Sequence, residues 1–243
     1  MEPRPGLESG PGSGAVEMTT GEDLPPGTEP RHPQLEGPLT EELERAKGLG
    51  FLGPMPAAEQ LEHALGFVGV IESELGRAPG SVLDLGSGGG PPGLVLAACW
   101  PATRAVLVEA NQRRAEFLDH SLARLGVAES VEVATGRAES LGHQPDLREA
   151  FECVTGRSFG RPAVTAECGS AFLSLDGRLV VSEPPDATTD DDRWPSAGLA
   201  PLGLARPRMV RFGRFGYRVI DKATPIAARY PRRPGIPAKR PLF

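Results

Sequence analysis

The stretch Ser81-Val82-Leu83-Asp84-Leu85-Gly86-Ser87-Gly88-Gly89-Gly90-Pro91-Pro92-Gly93 constrains the fold more than any other part of the chain. A short apolar run carries an acid. A glycine-dense turn follows, and Leu94-Val95-Leu96-Ala97-Ala98 then reads as a helix. This is a strand, a loop stripped of Cβ atoms and a helix. Glycine lets such a turn take positive φ and lets a ligand approach the backbone. Ligands of open parallel sheets sit beyond the carboxyl ends of the strands, so a nucleotide-like cofactor is the expected occupant. Asp84 precedes the first glycine. It can accept amide donors of the loop or hold a cationic ligand group, and it disfavours a pyrophosphate.

Two cofactors compete for the loop. Gly88, Gly90 and Gly93 spell G-x-G-x-x-G, a dinucleotide pattern that is weak in a chain with 31 glycines. Asp84-Leu85-Gly86-Ser87-Gly88 instead resembles the D-x-G-x-G loop of class I S-adenosylmethionine-dependent methyltransferases. A second strand, Ala105-Val106-Leu107-Val108, ends in Glu109. An acid there grips a ribose in both cofactor classes. Asp84 favours S-adenosylmethionine over NAD. A tight glycine turn without a ligand is the remaining reading.

The rest of the chain supplies the elements around this unit. A helix is expected over 57–75, strands over 81–85 and 104–109, and a helix from the N-cap Asn111 to Leu125, ended by Gly126. Further strands are read at 131–133, 151–154 and 178–182, with helices over 92–99 and 163–173. Two late strands, 208–212 and 216–221, suit an antiparallel edge pair. Alternating β and α at these spacings predict a Rossmann-like α/β fold, with a mostly parallel seven-stranded sheet and helices on both faces.

Hydrophobic residues make up 39% of 243, enough for one α/β domain with tails. Residues 1–40 are rich in Pro, Gly and Glu and are read as disordered, within an N-terminal extension over 1–50. A methyltransferase domain over 51–225 and a basic, Pro-rich tail over 226–243 follow. No apolar run is long enough for a membrane span, and no secretory pattern is present, so a cytoplasmic monomer without a membrane partner is expected. Cys99, Cys153 and Cys168 lack C-x-x-C spacing, and His32, His63, His120 and His143 lack ligand spacing. No metal is expected.

Charge is distributed unevenly. Residues 1–50 carry ten acids and four bases, whereas residues 201–243 carry one acid and eleven bases. A basic tail of this kind meets polyphosphate or folds back onto its own acidic domain.

Several segments resemble one family. Asp84–Gly93 is similar to the D-V-G-[ST]-G-x-G-[LF]-P-G loop of the glucose-inhibited division protein B family, the ribosomal small subunit methyltransferases G. Asn111-Gln112-Arg113-Arg114-Ala115-Glu116-Phe117-Leu118 resembles its K-R-x-x-F-L helix. Gly136-Arg137-Ala138-Glu139 resembles its S-R-x-E loop, and Gly156-Arg157-Ser158-Phe159 its S-R-A-F segment. Tyr230-Pro231-Arg232-Arg233-Pro234-Gly235-Ile236-Pro237-Ala238-Lys239-Arg240-Pro241-Leu242 resembles its Y-P-R-K-x-G-x-P-x-K-x-P-L tail. The resemblance implies methyl transfer from S-adenosylmethionine to N7 of a guanine in 16S rRNA. It implies cofactor contacts at Gly86 and Pro91, joining Asp84, Gly88 and Glu109, and further contacts at Ala138 and Glu139. It places Arg157 at the active site as the catalytic candidate and a cofactor neighbour. The chain departs from the family at Glu62-His63-Ala64-Leu65-Gly66-Phe67, where members carry R-H-I-L-D-S, and at Val181-Ser182-Glu183-Pro184, where they often carry A-L-K-G. Three functions stay open on the sequence: an rRNA methyltransferase, a small-molecule methyltransferase of the same fold, and a non-catalytic cofactor- or RNA-binding homologue.

Overall fold

The computed structural model describes residues 33–185, 187 and 193–243. Disorder expected over residues 1–32 lies outside the described residues. Seven strands form one sheet: β1 (Ser81–Leu85), β2 (Arg104–Glu109), β3 (Val131–Thr135), β4 (Phe151–Gly156), β5 (Leu173–Glu183), β6 (Arg208–Phe212) and β7 (Phe215–Asp221). Their order is β3-β2-β1-β4-β5-β7-β6. The first five run parallel, and β7 is antiparallel to both β5 and β6. This matches the expected fold. β5 is longer than its expected 178–182. It begins at Leu173 and bends at Asp176, whose φ is 64°, before resuming its pairing with β4 at Arg178.

Side chains alternate across the sheet with period two. Leu83, Leu85, Val106, Val108 and Val154 enter one core, while Val82, Ala105, Cys153 and Val180 enter the other. Both faces are covered, which is why these strands read as apolar runs.

One face carries α1 (Pro33–Gly48), α2 (Ala57–Leu75), α3 (Gly93–Cys99) and α4 (Gln112–Leu125); the other carries α5 (Ala138–Leu141) and α6 (Pro162–Ser170). The chain also forms α7 (Ser196–Leu199) and α8 (Ile236–Lys239). α2 closes on Gly76 at φ 71°, and α4 starts where the Asn111 side chain accepts the Arg114 amide at 3.2 Å. Helix α6 stops at Ser170, short of the expected 173, because Leu173 already pairs with Phe151 of β4.

The N-terminal boundary needs correction. Helix α1 lies within the region assigned to a disordered extension, yet Leu39, Leu43 and Ala46 are buried in the domain. Glu42 beside them accepts from Ser121 at 2.8 Å and from Arg124 at 2.7 Å. The folded unit therefore includes residues before 51.

The basic tail takes, in part, the second of its two expected roles and folds back onto the domain. Ile226 and Tyr230 are buried, and Leu242 and Phe243 pack against the α5–α6 core. Arg232 reaches Glu167, a side chain with no exposure, at 2.6 Å. Part of the tail's charge is thus spent on the chain's own carboxylates. Arg229, Arg233, Lys239 and Arg240 remain exposed.

Candidate functional site

The glycine loop lies at the carboxyl ends of β1 and β2. Asp84 sits beneath it, 2% exposed. One of its oxygens accepts the Gly93 amide at 3.1 Å, and the other accepts the Thr155 hydroxyl at 2.8 Å. Of the two roles open to Asp84, the structure shows the first: it holds the loop's amides. Burial pushes its carboxyl up to about 6, against the Thr155, Ser87 and Gly93 hydrogen bonds and the Arg157 charge. Gly93 is required here, since a Cβ would lie 2.7 Å from the Asp84 Oδ2 and 3.0 Å from Leu107.

Gly86 takes φ 65°, with the Phe159 ring over it at 2.7 Å from where a Cβ would stand. The Gly88 amide donates to Glu109 Oε2 at 2.9 Å, and the Asn111 amide donates to Oε1 at 2.7 Å. Glu109 therefore ties the end of β2 to the loop. Each carboxylate oxygen keeps acceptor capacity for a second donor such as a ribose hydroxyl. Pro91 is buried in the turn that enters α3.

Ala138 and Glu139 open α5, just past β3. The Glu139 side chain is 3% exposed and turns to the tail, where Oε1 accepts the Gly235 amide at 2.9 Å. Burial pushes its carboxyl up, but the Gly235 amide and Arg137 outweigh that and hold it below the ordinary range.

Arg157 follows the last residue of β4. Its Nη2 donates to Gln60 Oε1 on α2, and its Nη1 is buried with no partner. Burial lowers its pKa, opposed by Tyr217 and Asp84. Reading the sequence alone missed the neighbours of this arginine. Gln60 holds it, and His63, one helical turn further along α2, packs against Phe215 and Tyr217 of β7. His63 is 9% exposed, and neither ring nitrogen has a partner. Gly66 leaves room for the Tyr217 ring, which a Cβ would strike. That contact gives a physical reason for a glycine in the divergent 62–67 segment.

Other candidate features carry less chemistry. The three cysteines are buried free thiols, and burial pushes Cys99 and Cys153 up to about 12. No group of three or more potential ligands could hold a metal ion among the described residues. No helix among them is long and apolar enough to cross a membrane.

A doubly covered sheet of this order, with a glycine loop after β1 and an acid at the end of β2, defines the class I S-adenosylmethionine-dependent methyltransferase fold. Solved structures agree at the level of fold. An O-methyltransferase from Bacillus cereus in complex with SAH superposes with a TM-score of 0.54 at 14% identity, covering 76% of this chain and 90% of that one. Cofactor-bound Rv0187 from MTB gives 0.54 at 20% identity, covering 76% and 89%. The chain belongs to the rRNA small subunit methyltransferase G family, whose profile matches residues 60–183. The ribosomal RNA small subunit methyltransferase G of Pelotomaculum thermopropionicum is 35% identical over 168 residues, 67% of this chain and 70% of its own length. That of Dehalococcoides mccartyi strain BAV1 is 32% identical over 190 residues, 76% and 80%.

Proposed function

We propose that this chain transfers a methyl group from S-adenosylmethionine to N7 of a guanine in 16S rRNA, in the cytoplasm. Family membership over 60–183 carries this reading. The residues present suit the cofactor: a loop of small residues lets it approach the backbone at Gly86, Gly88 and Pro91, with Glu109 and the Ala138–Glu139 main chain beside it. When bound, the cofactor supplies an electrophilic methyl group on a sulfonium. Guanine N7 already carries an in-plane lone pair, so no side chain has to remove a proton first. Bound beside the loop, that methyl group would pass directly to N7, with S-adenosylhomocysteine as the leaving thioether. The protein's task is alignment, and orientation of this kind is worth about 7–11 kcal/mol in favourable cases. Asp84 fixes the loop through Gly93, and Arg157 keeps one buried N–H unpaired.

Exposed Arg233, Lys239 and Arg240 suit phosphate contacts, as does a groove of about 550 Å³ lined in part by Arg45, Phe51, Arg113, Phe117 and His120. The pairing of Arg232 with Glu167 favours a second reading, a small-molecule methyltransferase, because it removes one tail charge from RNA. Labelled cofactor with purified small subunits and naked 16S rRNA tests both. Transfer to either substrate, with N7-methylguanine lost from 16S rRNA in cells lacking the gene, supports the first reading. No transfer to any ribosomal substrate overturns it.

A further inference from the structure

His63 is a buried titratable group that the alignment of cofactor and loop does not use. Both of its ring nitrogens lack partners, although the side chain is nearly enclosed. Its ring stacks on Phe215 with centroids 4.5 Å apart and planes 7° from parallel. Phe67 and Tyr217 also face it, at 6.0 and 5.7 Å. Tyr217 donates its hydroxyl to the His63 carbonyl at 2.7 Å, which pins this turn of α2 to β7. The imidazole is therefore held in place by packing rather than by hydrogen bonds to its nitrogens.

Next to it, Arg157 Nη1 is buried and equally unpartnered, while Nη2 is fixed by Gln60. Arg157, just past β4, is bonded to Gln60, one helical turn from His63 on α2, and its charge acts on both His63 and Asp84. Buried polar groups left unpaired are costly, and such orphans in a folded protein point to a partner that arrives later. Burial, then the charges of Arg157 and Arg214, push His63 down to about 4. At neutral pH its ring is uncharged, with one nitrogen donating and the other accepting.

We propose that Gln60, His63 and Arg157 form the pocket for the acceptor base and select guanine by its Watson–Crick edge. Arg157 Nη1 donates to O6, and the neutral imidazole accepts from N1–H or the exocyclic amine. Adenine presents an amino group where guanine presents O6, and a guanidinium has only donors to offer it. Recognition on this edge leaves N7 uncovered. It also requires a target guanine that is unpaired or turned out of its helix. The inference rests on the methyltransferase reading above and names the contacts that give it base selectivity.

The test uses the full chain saturated with S-adenosylhomocysteine and labelled with 15N at histidine. GMP and AMP are titrated separately while the His63 ring nitrogens are followed, with the signal assigned through His63→Asn. Ring shifts produced by GMP and not by AMP are expected. Equal shifts, or none with either nucleotide at saturating solubility, would overturn the pocket. Kinetics on small subunits supply a second readout. His63→Leu should raise KM about tenfold with S-adenosylhomocysteine affinity unchanged, and His63→Asn, which keeps an acceptor, should recover most of that loss. A fall in cofactor affinity equal to the loss in KM would mean a structural role only. If the wild-type chain methylates no ribosomal substrate, the rRNA reading fails, and the nucleotide titration still decides the guanine pocket.

Discussion

The carboxylate of Glu139 accepts the main-chain amide of Gly235 at 2.9 Å, across 96 positions of sequence. One partner opens the segment after β3 that the family resemblance assigns to the cofactor. The other belongs to the basic tail. The tail is therefore tied directly to the segment that follows β3.

Removing residues 229–243 should lower cofactor affinity by at least about tenfold, because the partner that holds Glu139 in place is lost. Calorimetry with S-adenosylhomocysteine checks this. Unchanged affinity in the truncated protein would show that the tail is only an RNA arm. Arg232→Ala isolates the stability part: it leaves Glu167 buried without its cation, for which about 3–5 kcal/mol is expected in urea unfolding.

Helix α1 carries the second prediction. Leu39 and Leu43 are fully buried, so Leu43→Ala should destabilise the domain by about 2–5 kcal/mol. A protein beginning at Ala57 should melt well below the parent in calorimetric scans. Equal melting temperatures would mean that α1 packs without contributing.

The third prediction concerns pH. His63 has a folded-state pKa near 4, below its ordinary 6.5, so its contribution to stability is present above 6.5 and lost as pH falls towards 4. Asp84 runs the other way. Its folded-state pKa near 6 lies above 3.8, so its contribution is full below 3.8 and lost as pH rises through 6. Between about pH 4 and 6 the two slopes oppose each other, each worth on the order of 3 kcal/mol across its window. The His63→Asn variant should therefore lose less stability than the parent on acidification from 6 to 4.5, because the shared carboxylate contributions cancel and only the His63 slope differs. Parallel profiles for the two proteins would refute this.

Gly93→Ala gives the fourth. The added methyl meets Asp84 Oδ2 and Leu107 and forces the loop off its strand, at about 1–3 kcal/mol. Cofactor binding should fall with it. Fluorescence or calorimetric titration that found normal affinity would remove the loop from the cofactor site.

Much of the frame was legible because its signals are local. Asn111 and Gly126 bracket α4, and the alternating apolar runs fix β1 and β2 to the residue. Helix α1 was obscured by Gly37 and Pro38 in its first turns and by an acidic surface. Its signal was the four-residue spacing of Leu35, Leu39 and Leu43. The end of α6 was lost because Ala171-Phe172-Leu173 is apolar in either a helix or a strand. The site divides the same way. Asp84, Glu109 and Arg157 were singled out by their place at or next to the carboxyl ends of β1, β2 and β4. The pairing of Arg157 with Gln60, the orphaned His63 and the hold of Glu139 on Gly235 join residues distant in sequence, and no spacing rule encodes them.

The clasp on Glu139 also sets an order in time. Residues 226–243 follow every strand in synthesis, and β7 must first slot between β5 and β6. A chain made only as far as β5 has its glycine loop but not yet the partner of Glu139. The amide that Glu139 accepts is thus among the last parts of the chain to be made, so the environment of this buried carboxylate is complete only once the C-terminal segment is in place.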